Sequence, residues 1–309
     1  MLRASLLYLS EQPRVFSFVR GNRLARRLAS RFVAGETLET AVPVVRELNG
    51  RGITASLDLL GESVTSVAES RAAAATVVRT LDRIASERLD CNVSVKLTQM
   101  GLDLDPALCA ENMRAILDHA RDGRCFVRID MESGAHTQRT LDLFEHGLLP
   151  SYRDGVGVVI QSYLRRSATD IERLITSGAR VRLCKGAYKE SASVAFPGKA
   201  DVDRSYAELM ERLLQRGNYP ALATHDAALI ARARRFAEAN AIAASRFEFQ
   251  MLYGIRRDLQ ESLKRAGYNV RVYVPFGTHW YPYLMRRLAE RPANIAFILG
   301  NVARESLRR

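Results

Sequence analysis

The chain has 309 residues, 47% of them hydrophobic and 26% charged, with a formal net charge of +12. This is a normal globular composition, sufficient for two small domains or one large α/β barrel, and no apolar run approaches the length of a helical membrane span. The basic excess raises nucleic-acid binding, but only five of the 46 basic residues are lysine and the arginines are spread along the chain, so no nucleic-acid-binding face is singled out.

The chain opens with "MLRASLLYLSEQP", whose apolar stretch is too short for a secretory signal, so a cytoplasmic protein is expected. "VRGNRLARRLASRF" follows, the densest arginine group. It reads as a basic amphipathic helix that packs on the body or meets an anionic membrane surface from the inner face of the cell membrane. The residues before Gly35 contribute no strand. They are expected to form a helical arm (1–34) ahead of a catalytic domain (35–309).

Beyond the arm, short strand-like runs alternate with amphipathic helices. The strand candidates are "ITASLDLL" from Ile53, "NVSVKL" from Asn92, "CFVRIDME" from Cys125 and "VGVVIQSYL" from Val156. They continue with "VRLCKGAY" from Val181, "ALATHD" from Ala221, "FEFQML" from Phe247 and "NVRVYVPFG" from Asn269. Between them, "SATDIERLITSG" has Ser167 and Asp170 at capping-box spacing and Gly178 as a stop. "SYAELMERLLQRG" carries an apolar stripe of Tyr206, Leu209, Met210, Leu213 and Leu214, and "GIRRDLQESLKRAG" repeats the pattern with Leu259, Leu263 and Gly267. "SASVAFPGKADVD" after the fifth strand reads as a mobile flap. The four cysteines and five histidines are scattered, with no CxxC pair, so no disulfide framework and no metal site is expected.

Eight βα units at this spacing predict a (β/α)₈ TIM-type barrel. A doubly wound open sheet is the alternative, but the chain has no GxGxxG turn. In such barrels chemistry sits at the carboxyl ends of the strands. Those ends read Asp58, Lys96, Asp130 with Glu132, Gln161, Arg182 with Lys185, Thr224 with His225, Gln250 and Tyr273. The last strand leads through "FGTHW" into "YPYLMRRLAE", where Tyr283, Arg286, Arg287 and Glu290 follow i, i+3, i+4, i+7 spacing and share a helix face. The plainer reading of that face is a solvated one with Arg286 and Glu290 paired. The sharper one is a clamp of two guanidiniums on a small carboxylate or phosphate, and its place at the barrel mouth favours the clamp.

"SVKLTQMGLDL", "VRIDMES", "IQSYLRR", "VRLCKGAYKE", "ATHD", "FEFQMLYG" and "YVPFGTHWYPYLMRRLAERP" together resemble the flavin-dependent proline dehydrogenases, in the short monofunctional bacterial form. The resemblance runs from about residue 30 to the end. It implies a (β/α)₈ barrel holding FAD non-covalently, which oxidises L-proline to Δ1-pyrroline-5-carboxylate and passes electrons to a membrane quinone. Matched position by position, it implies that Lys96, Arg286 and Arg287 bind the proline carboxylate and that Tyr273 and Tyr283 shape the substrate pocket. Asp130 would organise or join the catalytic cluster, and Arg182 would face the N5 and O4 edge of the flavin. Met131, Gln161, Lys185, Gly186 and Ala187 would surround the isoalloxazine and pyrophosphate, with Thr224 and His225 at the adenylate half. Gly186 is expected where bare backbone approaches phosphate.

Two other classes stay open on the residues alone. A Schiff-base aldolase or lyase would use Lys96 or Lys185 as nucleophile, with the arginines clamping phosphate. A non-catalytic basic scaffold would bind membrane or nucleic acid with steep salt dependence.

Overall fold

The computed structural model describes residues 29–290, with side chains as far as Arg287. Eight parallel strands close into a barrel in sequence order. They are β1 Thr54–Leu59, β2 Cys91–Val95, β3 Val127–Ile129, β4 Val156–Gln161, β5 Arg180–Cys184, β6 Ala221–Ala223, β7 Glu248–Leu252 and β8 Asn269–Phe276. The barrel closes where β1 pairs with β8, Ser56 opposite Tyr273 and Asp58 opposite Pro275. All eight expected strands are present.

A first helix, α1 Leu38–Gly50, precedes β1. The helices after the strands are α2 Val67–Ser86, α3 Pro106–Asp122, α4 Gly134–Asp142, α5 Ser167–Thr176, α6 Lys199–Arg216, α7 Ala227–Ala239, α8 Arg257–Arg265 and α9 Trp280–Glu290. α4 runs on through a π-helical turn, Leu143–Leu148, and a last turn, Leu149–Tyr152. The outer layer forms because each helix buries one stripe. In α6 Tyr206, Leu209, Met210, Leu213 and Leu214 face the strands, as their spacing requires.

The arm expected over 1–34 lies, through residue 28, outside the described residues. Its end, Ala29, Phe32 and Val33, packs with Trp280, Tyr281, Tyr283 and Leu284 of α9. The backbone of Ala34 donates to Pro275 O at 2.9 Å. This segment thus braces the helix that carries the arginine pair.

One local expectation is corrected. α5 is capped at Arg166, and Ser167 is its first helical residue. Ser167 Oγ donates to Gln161 O at 2.6 Å and Asp170 is held by Arg166 Nε at 2.7 Å, so both side chains of the expected capping box are engaged elsewhere. Within the segment expected as a flap, Ala195 bridges Leu164 and clusters with Tyr163, Ser191 to Val194 are exposed, and from Lys199 onward the chain is α6.

Barrel interiors are ordinarily layered with branched aliphatics. This one is largely polar. Ser56, Asn92, Ser94, Arg128, Arg182, Glu248 and Gln250 are all buried. Gly157 is one of the devices that make room, since a Cβ there would lie 2.6 Å from Arg128 Nη1 and 2.4 Å from Arg180 O.

Candidate active site

At the carboxyl rim the side chains expected to carry chemistry meet around one carboxylate, Asp130, just past β3. Its Oδ1 accepts from Arg182 Nη1 on β5 at 2.7 Å, and its Oδ2 accepts from the Tyr273 hydroxyl on β8, also at 2.7 Å. Lys96 Nζ, past β2, stands 4.0 Å from the same Oδ2. The Arg182 guanidinium also lies over the Tyr273 ring, 5.3 Å from its centroid. Asp130, Arg182 and Tyr273, 143 residues apart in sequence at the extreme, are therefore one hydrogen-bonded unit.

Beneath this unit the rim is supported by further polar residues of the strands. Asp58 on β1 accepts from Lys96 Nζ at 2.8 Å. Ser94 accepts from Arg182 Nη2 at 3.1 Å and lies 3.2 Å from Ser56 Oγ. Burial opposes the Lys96 charge, but Asp58 and Asp130 more than offset it and hold the ammonium above its usual range. Burial raises the Asp58 carboxyl, with Lys96 pulling it down and Asp130 pushing it up. Burial first, then Asp130 and Asp58, drive the Tyr273 phenol well above its usual value, so it remains a hydrogen-bond donor at any physiological pH.

α9 brings the arginine pair to the same rim. Arg286 Nη1 donates to Glu62 Oε1, in the loop after β1, at 2.6 Å. Arg286 is partnered across the mouth by a residue 224 positions away; Glu290, its expected partner, has no described side chain. Burial works against the Arg286 charge, but Glu62, Tyr188 and Asp58 raise it on balance. Arg286 thus senses Asp58, and Lys96 senses Glu62, which ties the two cations to one electrostatic neighbourhood. Arg287, half-buried, lies over the buried Tyr283 ring, 5.2 Å from its centroid.

The residues expected at a cofactor lie on the adjoining arc, β3 to β7. Met131, Gln161 and Thr224 are buried. Gln161 Nε2 donates to Glu132 O at 2.7 Å, and Thr98 holds the Glu132 carboxylate through N–H and hydroxyl bonds of 3.1 and 2.6 Å. Lys185 Nζ is held by two carboxylates, Asp203 at 2.5 Å and Asp226 at 3.0 Å. Thr224 Oγ1 accepts from Asp226 N at 3.1 Å. His225 Nε2 accepts from Leu252 N at 2.9 Å, so that nitrogen carries no proton and the ring links the ends of β6 and β7. Ala187 follows Gly186, whose φ is +109°. A Cβ on Gly186 would lie 2.2 Å from the Tyr163 ring. Glycine is thus required there by an aromatic neighbour as well as by backbone conformation, a reason the sequence did not offer.

Sequence reasoning gave no role to Asp58, Glu62, Ser94 and Tyr188. Asp58 stood among the strand ends, and Tyr188 lies inside "KGAY"; Glu62 is in a loop with no local signal. Among the described residues no group of three or more His, Cys, Asp or Glu is placed to hold a metal ion, and no helix is long and apolar enough to cross a membrane.

The family model described as proline dehydrogenase matches residues 41–299. Proline dehydrogenase 1 of Bacillus subtilis strain 168 is 43% identical, over 99% of this chain and 100% of its own length. Proline dehydrogenase of Deinococcus radiodurans is 41% identical, over 97% of each chain. Among solved structures, proline utilization A (PutA) from Bdellovibrio bacteriovorus, inactivated by N-propargylglycine, superposes with a TM-score of 0.81 at 27% identity. That match covers 91% of this chain and 34% of the other.

Proposed function

The chain belongs to the proline dehydrogenase family, and from that premise we propose that it uses FAD to oxidise L-proline to Δ1-pyrroline-5-carboxylate and delivers the electrons to a membrane quinone. One observation carries the reading: Lys96 and Arg286, from a strand end and from α9, share one electrostatic neighbourhood at the rim beside the Asp130–Arg182–Tyr273 unit. A small amino-acid carboxylate is the anion such a rim suits.

In this reading Lys96, Arg286 and Arg287 bind the substrate carboxylate. Tyr273 and Tyr283 wall its ring, and Asp130 aims both Tyr273 and Arg182. Glu62 orients the Arg286 fork. The rim carboxylates Asp58, Asp130 and Glu62 are each engaged by a cation, so none is a ready base. The substrate amine therefore gives up its proton to solvent before binding.

The residues of the adjoining arc fit a flavin. The Nε of Arg182 is buried without a hydrogen-bond partner, a cationic donor beyond the two bonds that fix its Nη atoms. Arg182 would hold the electron-accepting edge, Met131 and Gln161 the ring, Lys185, Gly186 and Ala187 the pyrophosphate, and Thr224 and His225 the adenylate. When bound, FAD supplies the two-electron acceptor that no side chain provides. The basic amino-terminal segment would bring the enzyme to an anionic bilayer as a peripheral protein, where quinone resides.

The Schiff-base alternative needs a lysine of depressed pKa. Lys96 is shifted the other way, and Lys185 is held by two aspartates. The test is a visible spectrum of the purified protein followed by turnover. It should be yellow, release FAD rather than FMN on denaturation, and reduce a short-chain quinone, not NAD, when proline is added. Colourless protein that takes up no added FAD would overturn the proposal.

A further inference from the structure

At the amino-terminal face of the barrel, opposite the rim, an open cleft of about 310 Å³ lies between the start of β3, the turn before β4 and the start of β5. Three arginines line it, Arg121, Arg124 and Arg180, beside Phe126 and Tyr152. Arg121 is neutralised by Asp118 at 2.9 Å. The other two are not: among the described residues neither Arg124 nor Arg180 has a carboxylate oxygen within 4.0 Å.

Arg180 is the better-buried of the pair. Its guanidinium lies 4.4 Å from the Phe126 centroid and 4.8 Å from that of Tyr219, and its Nη1 reaches the backbone oxygen of Asp154 at a long 3.5 Å. Its Nε is buried with no hydrogen-bond partner. Behind it Arg128, 2% exposed, repeats the situation. Its guanidinium is 4.6 Å from the same Phe126 centroid, it donates to the carbonyls of Arg180 and Val158 at 2.6 and 3.3 Å, and its Nε is also without a partner.

Asp154 also lines the cleft, and it and Glu248 favour the Arg180 charge from a distance, but neither forms an ion pair with it, and burial outweighs them. Glu248 is gripped by Arg271 Nε at 3.1 and 3.2 Å, and Asp154 accepts from Asn218 at 3.1 Å. Burial and the neighbouring arginines disfavour the charged form of Arg128, and burial does the same for Arg180. Buried guanidiniums without a counter-charge are costly, and a fork of N–H donors beside open space is suited to a tetrahedral oxyanion.

We propose that this cleft is a second binding site, separate from the rim, at which Arg180 and Arg124 bind a phosphoryl group, carried by inorganic phosphate or by a small phosphomonoester. Arg180 supplies the partly buried fork and Arg124 the exposed one. Arg128 adds positive potential from below.

The experiment is calorimetric titration of the holoenzyme, as purified, with sodium phosphate and with ribose 5-phosphate, each against sodium chloride at matched ionic strength. Saturable binding is expected, with a melting temperature that rises with ligand concentration. Arg124→Gln and Arg180→Gln should each weaken it at least tenfold while leaving kcat/KM for proline unchanged. Arg124 is exposed, so its variant remains informative if Arg180→Gln folds poorly. Cys125, which lines the cleft, should be alkylated more slowly when the site is full. Tighter binding of ribose 5-phosphate would assign the phosphomonoester as the source, and equal or tighter binding of phosphate the free ion. Absence of a saturable signal with either probe, a signal reproduced by chloride, or undiminished binding in Arg124→Gln would overturn the proposal.

Discussion

Asp130 is the residue whose removal tests the site most directly. Asp130→Asn keeps the shape of the side chain but replaces one acceptor oxygen with an N–H₂ donor. Both oxygens of Asp130 now receive a hydrogen bond, from Arg182 and from Tyr273, each at 2.7 Å. The new amide must therefore face one of those two donors, and the buried Arg182 loses its carboxylate counter-charge. Breaking a buried pair by removing one partner costs about 3–5 kcal/mol. Part of that is recovered because Ser94 still accepts from Arg182 Nη2. A loss of about 3–4 kcal/mol corresponds to roughly 10²–10³-fold in kcat/KM. Tyr273→Phe forfeits one hydrogen bond to a charged acceptor, about 1.5–3 kcal/mol, and keeps the ring. It should fall short of Asp130→Asn. Because the two residues share a bond, the double variant should lose less than the sum, by about 1–2 kcal/mol. Steady-state kinetics with proline and a short-chain quinone measure all three. Strict additivity, or a Tyr273→Phe loss larger than that of Asp130→Asn, would refute the reasoning.

Arg286→Met or Arg287→Met should raise the proline KM strongly, with a loss of about 2–5 kcal/mol where the site is desolvated and FAD content near normal; an unchanged KM in both would return α9 to an ordinary surface helix. Asp58→Asn removes the largest of the three charges that raise Lys96, leaving burial opposed only by Asp130 and Glu62, so KM measured against pH should begin its alkaline rise at lower pH than in the wild type. Glu248 is pushed up by burial but pulled lower on balance by Arg271 and Gln250. A depressed carboxylate contributes stability that is present above its ordinary value of 4.5 and is lost as pH falls through the folded value. The wild-type melting temperature should therefore fall below about pH 4.5, and Glu248→Gln, destabilised by about 3–5 kcal/mol at neutral pH, should show a shallower acid decline.

The strands were legible because parallel strands covered on both sides must be short, apolar and sharply bounded. Their polar ends pointed to the rim, and Lys96, Asp130, Arg182 and Tyr273 do meet there. The barrel floor was not legible. Arg128, Glu248 and Arg271 sit in "VRI", "FEF" and "VRV", where one charged residue between apolar ones reads as a solvent-facing position. Closing the sheet turns those positions inward, and only then does Glu248 find Arg271. Asp58 and Glu62 escaped a role for a related reason: their partners lie 38 and 224 residues away. The capping box at Ser167 failed because the motif records spacing, whereas Gln161 O and Arg166 competed for the same side chains.

The two rim lysines show why residue type alone left the chemistry open. A lysine at a strand end of a barrel can be a nucleophile or a fixed charge, and its neighbours decide which. Burial alone would make Lys96 a nucleophile, since it disfavours the ammonium. Asp58 at 2.8 Å and Asp130 at 4.0 Å reverse that, and hold the charge where a substrate anion can use it. Lys185 reaches a different end, because Asp203 and Asp226 bind it from α6 and from the cap of α7. There the ammonium ties the loop after β5 to two neighbouring elements, and a phosphate group could bind only by sharing it with those aspartates. In the proposed function Lys96 would therefore serve anion binding, whereas Lys185 would be first a brace for the proposed cofactor arc. Replacing it should loosen that arc before it affects any contact with substrate.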